Sequence, residues 1–207
     1  MRFRPAIIVP AAGRGSRFGG PQHKLEQVFD GLTVLGATVR QAVRSQLPVV
    51  VITTEALVGA VCHQVARRDI VVLSEADAAR GMGFSIAAGV GERSGAPGWL
   101  VLPGDMPLVQ PSTLLAVATA LEQYPVVYAQ YRGRRGHPVG FAAELYSELI
   151  QLNGDEGARR VVARYPAFGQ EVPDAGVLFD VDTVEDLARA RELGTQTAAA
   201  AQPPLRG

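Results

Sequence analysis

The sequence predicts an α/β fold, a three-layer sandwich on a mostly parallel sheet that also carries an antiparallel hairpin. Three observations lead there. Apolar runs of strand length alternate with longer segments whose apolar residues recur every three or four positions. The early runs are continuously apolar, as strands covered on both faces are. The rhythm then breaks at "YRGRRG" (131–136), where only a turn separates two strand-like runs.

In chain order, strands are expected at "AIIV" (from 6), "VVVITT" (49), "IVVL" (70), "WLVL" (99), "VVYAQY" (126), "HPVGF" (137) and "GVLFDV" (176). Helices are expected over "VLGATVRQAVRSQ", "EALVGAVCHQVARR", "GFSIAAGVGER" and "PSTLLAVATALEQ", because their apolar spacing suits packing on a sheet. Two more follow at "AAELYSELIQ" and "EGARRVVARY". "TVEDLARARELG" closes the domain, with Thr183 as N-cap, acidic residues in the first turn and Gly194 as a stop. Residues 1–194 read as one domain. The segment 195–207 has a single large apolar residue and is expected to be disordered.

Composition narrows the function classes. With 207 residues and 47% hydrophobic content, the chain can bury about 70% of its unfolded surface. Lysine plus arginine equals aspartate plus glutamate, 20 against 20, so no global field favours a nucleic-acid backbone or an acidic membrane. Anion binding must be local. The lone Cys62 cannot form an internal disulfide, and one cysteine with three scattered histidines gives no zinc spacing, which fits a reducing cytoplasm. The apolar run after the basic amino end is too short for a signal peptide or a membrane span, and reads as the first strand.

The stretch "VPAAGRGSRFGGPQHK" (9–24) follows that strand. In a parallel α/β sheet, ligands bind beyond the carboxyl ends of the strands. Gly13, Gly15, Gly19 and Gly20 permit close backbone approach, so that amide groups can converge on phosphate oxygens. Ser16 lies in the same loop. Arg14, Arg17 and Lys24 supply the charge that a multiply anionic ligand such as a triphosphate needs. A P-loop is excluded because Leu25, not Ser or Thr, follows the lysine. A dinucleotide fingerprint is mimicked by Gly13, Gly15 and Gly19, but the loop runs on through "GGPQHK" instead of opening into a helix, and it carries more cations than a pyrophosphate attracts.

Asp105, in "WLVLPGDMPLV", falls just past a buried strand, a costly place for an unpartnered charge. It reads either as a magnesium ligand beside phosphates or as a turn aspartate bonding its own backbone. Asp180 and Asp182 alternate in "FDVDT" and would share one face of a strand. Gly81 and Gly83 would leave room for a flat base, with Ser85 either bonding the base edge or capping a helix.

Together these residues resemble the nucleotidyltransferase family that includes the molybdenum cofactor cytidylyltransferases and their guanylyl-transferring relatives. "VPAAGRGSRFGGPQHK" is similar to its signature loop, and "GMGFSIAAGV" (81), "LPGDMPLV" (102), "YRGRRGHPVGF" (131), "NGDEGAR" (153) and "FDVDTVEDL" (179) follow in its order and spacing. The resemblance implies a nucleotide-diphospho-sugar-transferase-like, Rossmann-like fold and a Mg²⁺-dependent transfer of CMP from CTP to a pterin-type phosphorylated acceptor. Arg17, Lys24 and Asp105 would be catalytic, and Asp105 and Asp182 would hold the metal, with Asp180 close behind Asp182. Nucleotide contacts are implied for Ala11, Ala12 and Ser85, alongside Gly13, Arg14, Gly15, Ser16 and Gly81.

Ala12, within "AAG", favours CTP over GTP by the same resemblance. His137, next to Arg132, Arg134 and Arg135, would bind or position the acceptor. Asp155 and Arg159 would contact the pterin or pair with each other one helical turn apart. A molybdoenzyme or its chaperone is the candidate downstream partner. The sequence departs from the family's usual "GxPK" in one respect, because Gln22 and His23 separate Pro21 from Lys24. Cys62, His63 and His23 carry no assigned role. The competing readings are a nicotinamide oxidoreductase, a transferase for sugar or polyol phosphates, and an accessory module that binds nucleotide without turnover.

Overall fold

The computed structural model describes residues 3–13 and 23–200. Arg14, Gly15, Ser16, Arg17, Gly19 and Gly20 therefore lie outside the described residues, as do positions 201–207. The first strand, β1 (Ala6–Pro10), is buried along its whole length. It pairs in parallel with β4 (Val49–Thr54) on one side and β6 (Gly98–Val101) on the other. A two-residue turn at Asp30 and Gly31, both at positive φ, joins the small strands β2 (Val28–Phe29) and β3 (Leu32–Thr33) into a separate ribbon. β5 (Ile70–Leu73) extends the main sheet beyond β4. On the other flank come β7 (Val126–Tyr131), β8 (Arg134–Ala142) and β9 (Ala167–Glu171), giving the order β5-β4-β1-β6-β8-β7-β9.

Alternation along the central strands sorts side chains to two cores. Ile7, Val9, Val51 and Leu100 face α1 (Val34–Arg44), α4 (Pro111–Ala120) and α7 (Val184–Ala200). Ile8, Val50, Ile52 and Trp99 face α3 (Met82–Glu92), α5 (Tyr146–Leu149) and α6 (Arg159–Arg164), while the one-turn α2 (Glu75–Ala78) sits before α3. This is the expected three-layer sandwich, with β8 antiparallel to both neighbours as the hairpin requires. No helix among the described residues is long and apolar enough to cross a membrane.

Four segments differ from expectation. "EALVGAVCHQVARR" forms 3-10 turns at Glu55–Ala60 and Arg67–Asp69 rather than one α-helix. Its valines and Gly59 are weak helix formers, and anchoring Leu57 and Val61 in the core is enough to hold the shorter turns. "GVLFDV" is not a strand: Ala175–Leu178 is a 3-10 turn fixed by buried Asp174, which accepts the amides of Gln110 and Gly176 and the hydroxyl of Thr113. The seventh strand is instead β9, half-buried at the sheet edge and too polar to stand out. The last helix runs through Gly194 to Ala200, so the start of the tail is helical, the following alanines offsetting the cost of about 1 kcal/mol for one glycine. "AAELYSELIQ" splits into a 3-10 turn, Ala143–Leu145, and the short α5.

Contact between α3 and the sheet depends on Gly89, where an added Cβ would meet Ile8 at 2.5 Å and Ile52 at 2.6 Å. Gly89→Ala should thus destabilise by about 1–3 kcal/mol through overpacking, against a helix-propensity gain of at most about 1 kcal/mol. Urea unfolding checks the sign, and a stabilised variant would show that α3 can lift from the sheet.

Candidate active site

Three backbone turns converge at the carboxyl ends of β1 and β6. The chain leaving β6 stays beside the chain leaving β1, since Leu102 N–H bonds Ile8 O at 2.9 Å and Gly104 N–H bonds Pro10 O at 3.1 Å. Thr38 on α1 donates to Gly104 O at 3.0 Å. Asp105 comes next, and its carbonyl accepts Val181 N–H at 2.9 Å, which draws the segment before α7 to the same place. The start of α7 is closed by a reciprocal cap: Asp186 accepts from Thr183 N–H at 3.0 Å and from its hydroxyl at 2.8 Å, while Thr183 Oγ1 accepts Asp186 N–H at 3.1 Å. Thr183 is thus the expected N-cap, and the Asp182 carboxylate faces the site.

Between the two carboxylates sits Lys24. Its Nζ lies 2.6 Å from Asp105 Oδ2 and 2.6 Å from Asp182 Oδ1, with side chains only 14%, 18% and 24% exposed for Lys24, Asp105 and Asp182. Burial pulls the ammonium's pKa down, but Asp105 and Asp182 outweigh it and hold it above the ordinary lysine value. Lys24 is the only lysine in the sequence; the other nineteen of the 20 basic side chains are arginine. That count is a sequence signal which, read alongside the loop, marks the position.

Two buried atoms here have no hydrogen-bond partner: Asp105 Oδ1 and His137 Nδ1. His137 sits where the β7–β8 register shifts, between the pairs Tyr128–Val139 and Gln130–Arg135. The shift is shaped by Gly136, whose added Cβ would lie 2.1 Å from Val177 O. Burial lowers the imidazole pKa below its ordinary value, although Asp105, a hydrogen bond to the Val101 backbone and Asp180 oppose this. Burial also raises the Asp180 carboxyl above its ordinary value, with the Asp105 and Asp182 charges adding to the effect. Asp180 and Asp182 thus feel the same centre without lying on a strand.

The other expected site residues among those described lie outside the Lys24 ion pairs. Gly81 is the N-cap of α3, at φ 92°, and Ser85 is a buried residue within the helix rather than its cap. On the side where a Cβ would project, both glycines are closed off: it would meet Gly154 at 2.5 Å from Gly81 and Asn153 at 2.8 Å from Gly83. That side is taken by the 153–155 loop, tied down by Gly83 N–H to Gly154 O and Gly154 N–H to Arg80 O, both 2.8 Å. Of the two readings of Asp155 and Arg159, the ion pair is not the one formed in this segment, where Arg160 pairs with Glu156 at 2.6 Å. Ala11 and Ala12 are buried at the end of β1, leading into Gly13. His23, given no role by the sequence reading, bonds both Gly13 and Leu25.

Chemically, this is a cation held by two acids at the ligand-binding end of a parallel sheet, with one carboxylate oxygen unpartnered. The MobA-like NTP transferase domain matches residues 7–169. The chain belongs to that family. Purine catabolism protein PucB from Bacillus subtilis (strain 168) is 30% identical over 200 residues, covering 87% of this chain and 93% of that protein. Molybdenum cofactor cytidylyltransferase from Escherichia coli (strain K12) is 23% identical over 191 residues, covering 91% and 96%. Among solved structures, Rv0371C in complex with manganese from Mycobacterium tuberculosis H37Rv superposes with a TM-score of 0.74 at 27% identity, covering 91% of this chain and 98% of that one. As a MobA-like protein the chain is a nucleotidyltransferase, and the expected nucleotide-diphospho-sugar-transferase fold is the one observed.

Two measurements probe the site itself. Lys24→Met leaves two partly buried acids facing each other and should cost about 3 kcal/mol, lowering Tm by roughly 6–12 °C for a chain of this size; a loss below 2 °C would mean the ion pairs contribute little. For His137, the folded pKa lies below the unfolded 6.5, so its contribution is complete above that value and is lost as pH falls beneath it, when the unfolded chain takes up a proton that the folded chain resists. His137→Gln should therefore flatten the dependence of stability on pH between pH 7 and 5, and equal slopes would contradict a buried neutral ring.

Proposed function

We propose that this nucleotidyltransferase moves CMP from CTP to the terminal phosphate of a pterin-type acceptor, molybdopterin, with Mg²⁺ and release of pyrophosphate. The observation that carries the reading is Lys24 between Asp105 and Asp182 at the carboxyl end of β1, directly after the glycine- and arginine-rich loop sequence. An acceptor phosphate oxygen forms the new bond to the α-phosphorus of CTP as the bond to the β-phosphate oxygen breaks. The acceptor is already anionic near neutral pH, so no strong base is required. Positioning and charge stabilisation then supply most of the rate.

The residues fit a divalent ion. Asp105 Oδ1 is a buried acceptor with no partner, the second acid is adjacent, and no three His, Cys, Asp or Glu side chains among the described residues form a closed protein cage. Mg²⁺ characteristically takes one or two carboxylates and completes its octahedron with phosphate oxygens and water. Asp105 and Asp182 would hold it, and it would neutralise charge on the phosphates. Lys24, released from its acids, would turn its ammonium to the polyphosphate, and Arg17 is assigned the same role from the sequence. His137, buried beside Asp105, would orient the acceptor.

Support for CTP comes from Ala12 in "AAG" and from the cytidylyltransferase among the relatives; support for a pterin comes from the "GHP" and "GDEGAR" segments. The test is thermal shift against the four nucleoside triphosphates with and without Mg²⁺, followed by pyrophosphate release with molybdopterin. CTP with Mg²⁺ should stabilise most, and Asp105→Asn should reduce turnover at least ~100-fold while the protein remains folded. A preference for GTP would redirect the donor, turnover with sugar or polyol phosphates alone would redirect the acceptor, and a fully active Asp105→Asn would remove the metal assignment.

A further inference from the structure

His23 makes two hydrogen bonds whose directions fix its protonation. Its Nδ1 lies 3.2 Å from Leu25 N, an obligate donor, so Nδ1 is the acceptor and bears no proton. The proton is therefore on Nε2, which lies 2.7 Å from the carbonyl oxygen of Gly13 and donates to it. One neutral ring thus joins two pieces of chain ten positions apart: the end of the β1 exit and the start of the 3-10 turn Lys24–Glu26, for which His23 is the N-cap. Leu25 in that turn is buried in the core, so the turn is anchored from below by Leu25 and from the side by His23.

Lys24 lies between those two anchors. Its side chain must reach acids 81 and 158 positions away, and both contacts are 2.6 Å. A long, rotamer-rich side chain holds such a geometry only if its own backbone is fixed.

We propose that His23 is a positioning residue for nucleotidyl transfer, its ring fastening the Lys24 turn to the carboxyl end of β1 so that the ammonium is delivered to Asp105 and Asp182. The two residues that separate Pro21 from Lys24, Gln22 and His23, then have a purpose in this chain: the longer connection supplies the ring that holds the lysine in place. The kinetic part of this inference rests on the reading of Lys24 as the cation that serves the phosphates. The positional part does not.

The chain's single lysine makes the test direct. Growth on 15N-labelled lysine gives the full-length protein one side-chain ammonium signal, that of Lys24. The signal should be narrow and slowly exchanging in the wild type, because both acids hold the group. His23→Ala removes both bonds and should broaden the signal and lower kcat/KM for CTP, measured by pyrophosphate release with Mg²⁺ and molybdopterin, by roughly tenfold. His23→Gln places an amide N–H near the Nε2 position, and His23→Asn an acceptor near Nδ1; at least one should restore the signal and most of the rate, while Tm stays within a few degrees across the series.

An unchanged Lys24 signal in His23→Ala overturns the proposal. So does a loss that neither amide variant rescues and that follows Tm, since that describes a purely structural side chain. If the signals behave as expected but the wild type releases no pyrophosphate from any nucleotide, the reading of the reaction fails and the positioning role stands.

Discussion

The structure is organised around one shared cation. The Lys24 ammonium is held by carboxylates contributed 81 and 158 positions further along the chain, so three remote segments must be brought to within one hydrogen-bond length of a single nitrogen. Two acids brought together without a counterion would repel and lose hydration that nothing replaces. The fold meets this requirement with backbone bonds. The β6 exit is bonded to β1 through Leu102 and Gly104, the segment before α7 is bonded to Asp105 through Val181, and the Thr183–Asp186 cap fixes the direction in which α7 departs.

The apolar layers make that convergence affordable. β1 is buried on both faces and pairs with two parallel neighbours, so its carboxyl end is held by hydrogen bonds from both sides. Close approaches at Gly89 beneath α3 and at Gly136 against Val177 bring the outer layers near enough for their loops to reach the same region. Gly81 and Gly83 serve a related end. The sequence suggests that they clear room for a ligand, and on the side where a Cβ would project they admit the 153–155 loop, which is locked to the α3 corner by two backbone bonds. A glycine marks a close approach, but the sequence does not name what approaches.

That distinction runs through what could be read in advance. β1, β4, β5, β6, β7 and the hairpin are legible because each is a dense apolar run or a turn with strong local chemistry. β9 is not, because an edge strand with one half-buried phenylalanine pattern has little to distinguish it from a loop. The 176–181 stretch is misread for the opposite reason. It is as apolar as a strand, but Asp174 satisfies three donors at its start and turns the backbone before pairing can begin. Asp105 stands out in the sequence by its place just past a buried strand, whereas Asp182 is set apart from Asp180 only by the family resemblance. Their joint possession of Lys24 is a tertiary fact, and His23 matters only through two bonds that no spacing rule anticipates.

The choice of lysine over arginine at this point follows from the same geometry. Arginine fills every other basic position in the sequence, and its planar fork is best suited to gripping one carboxylate or phosphate with two parallel bonds. An ammonium is a compact charge with three donors that can be split between two acids and redirected by rotation about a flexible stem. Burial, together with the charges of Asp105 and Asp182, raises the pKa of the nearby Asp180, so this third carboxyl resists adding its charge to theirs. Under the proposed reaction, the Lys24 side chain would turn from the acids to a phosphate once another cation took its place, which a guanidinium locked to one carboxylate would do less readily.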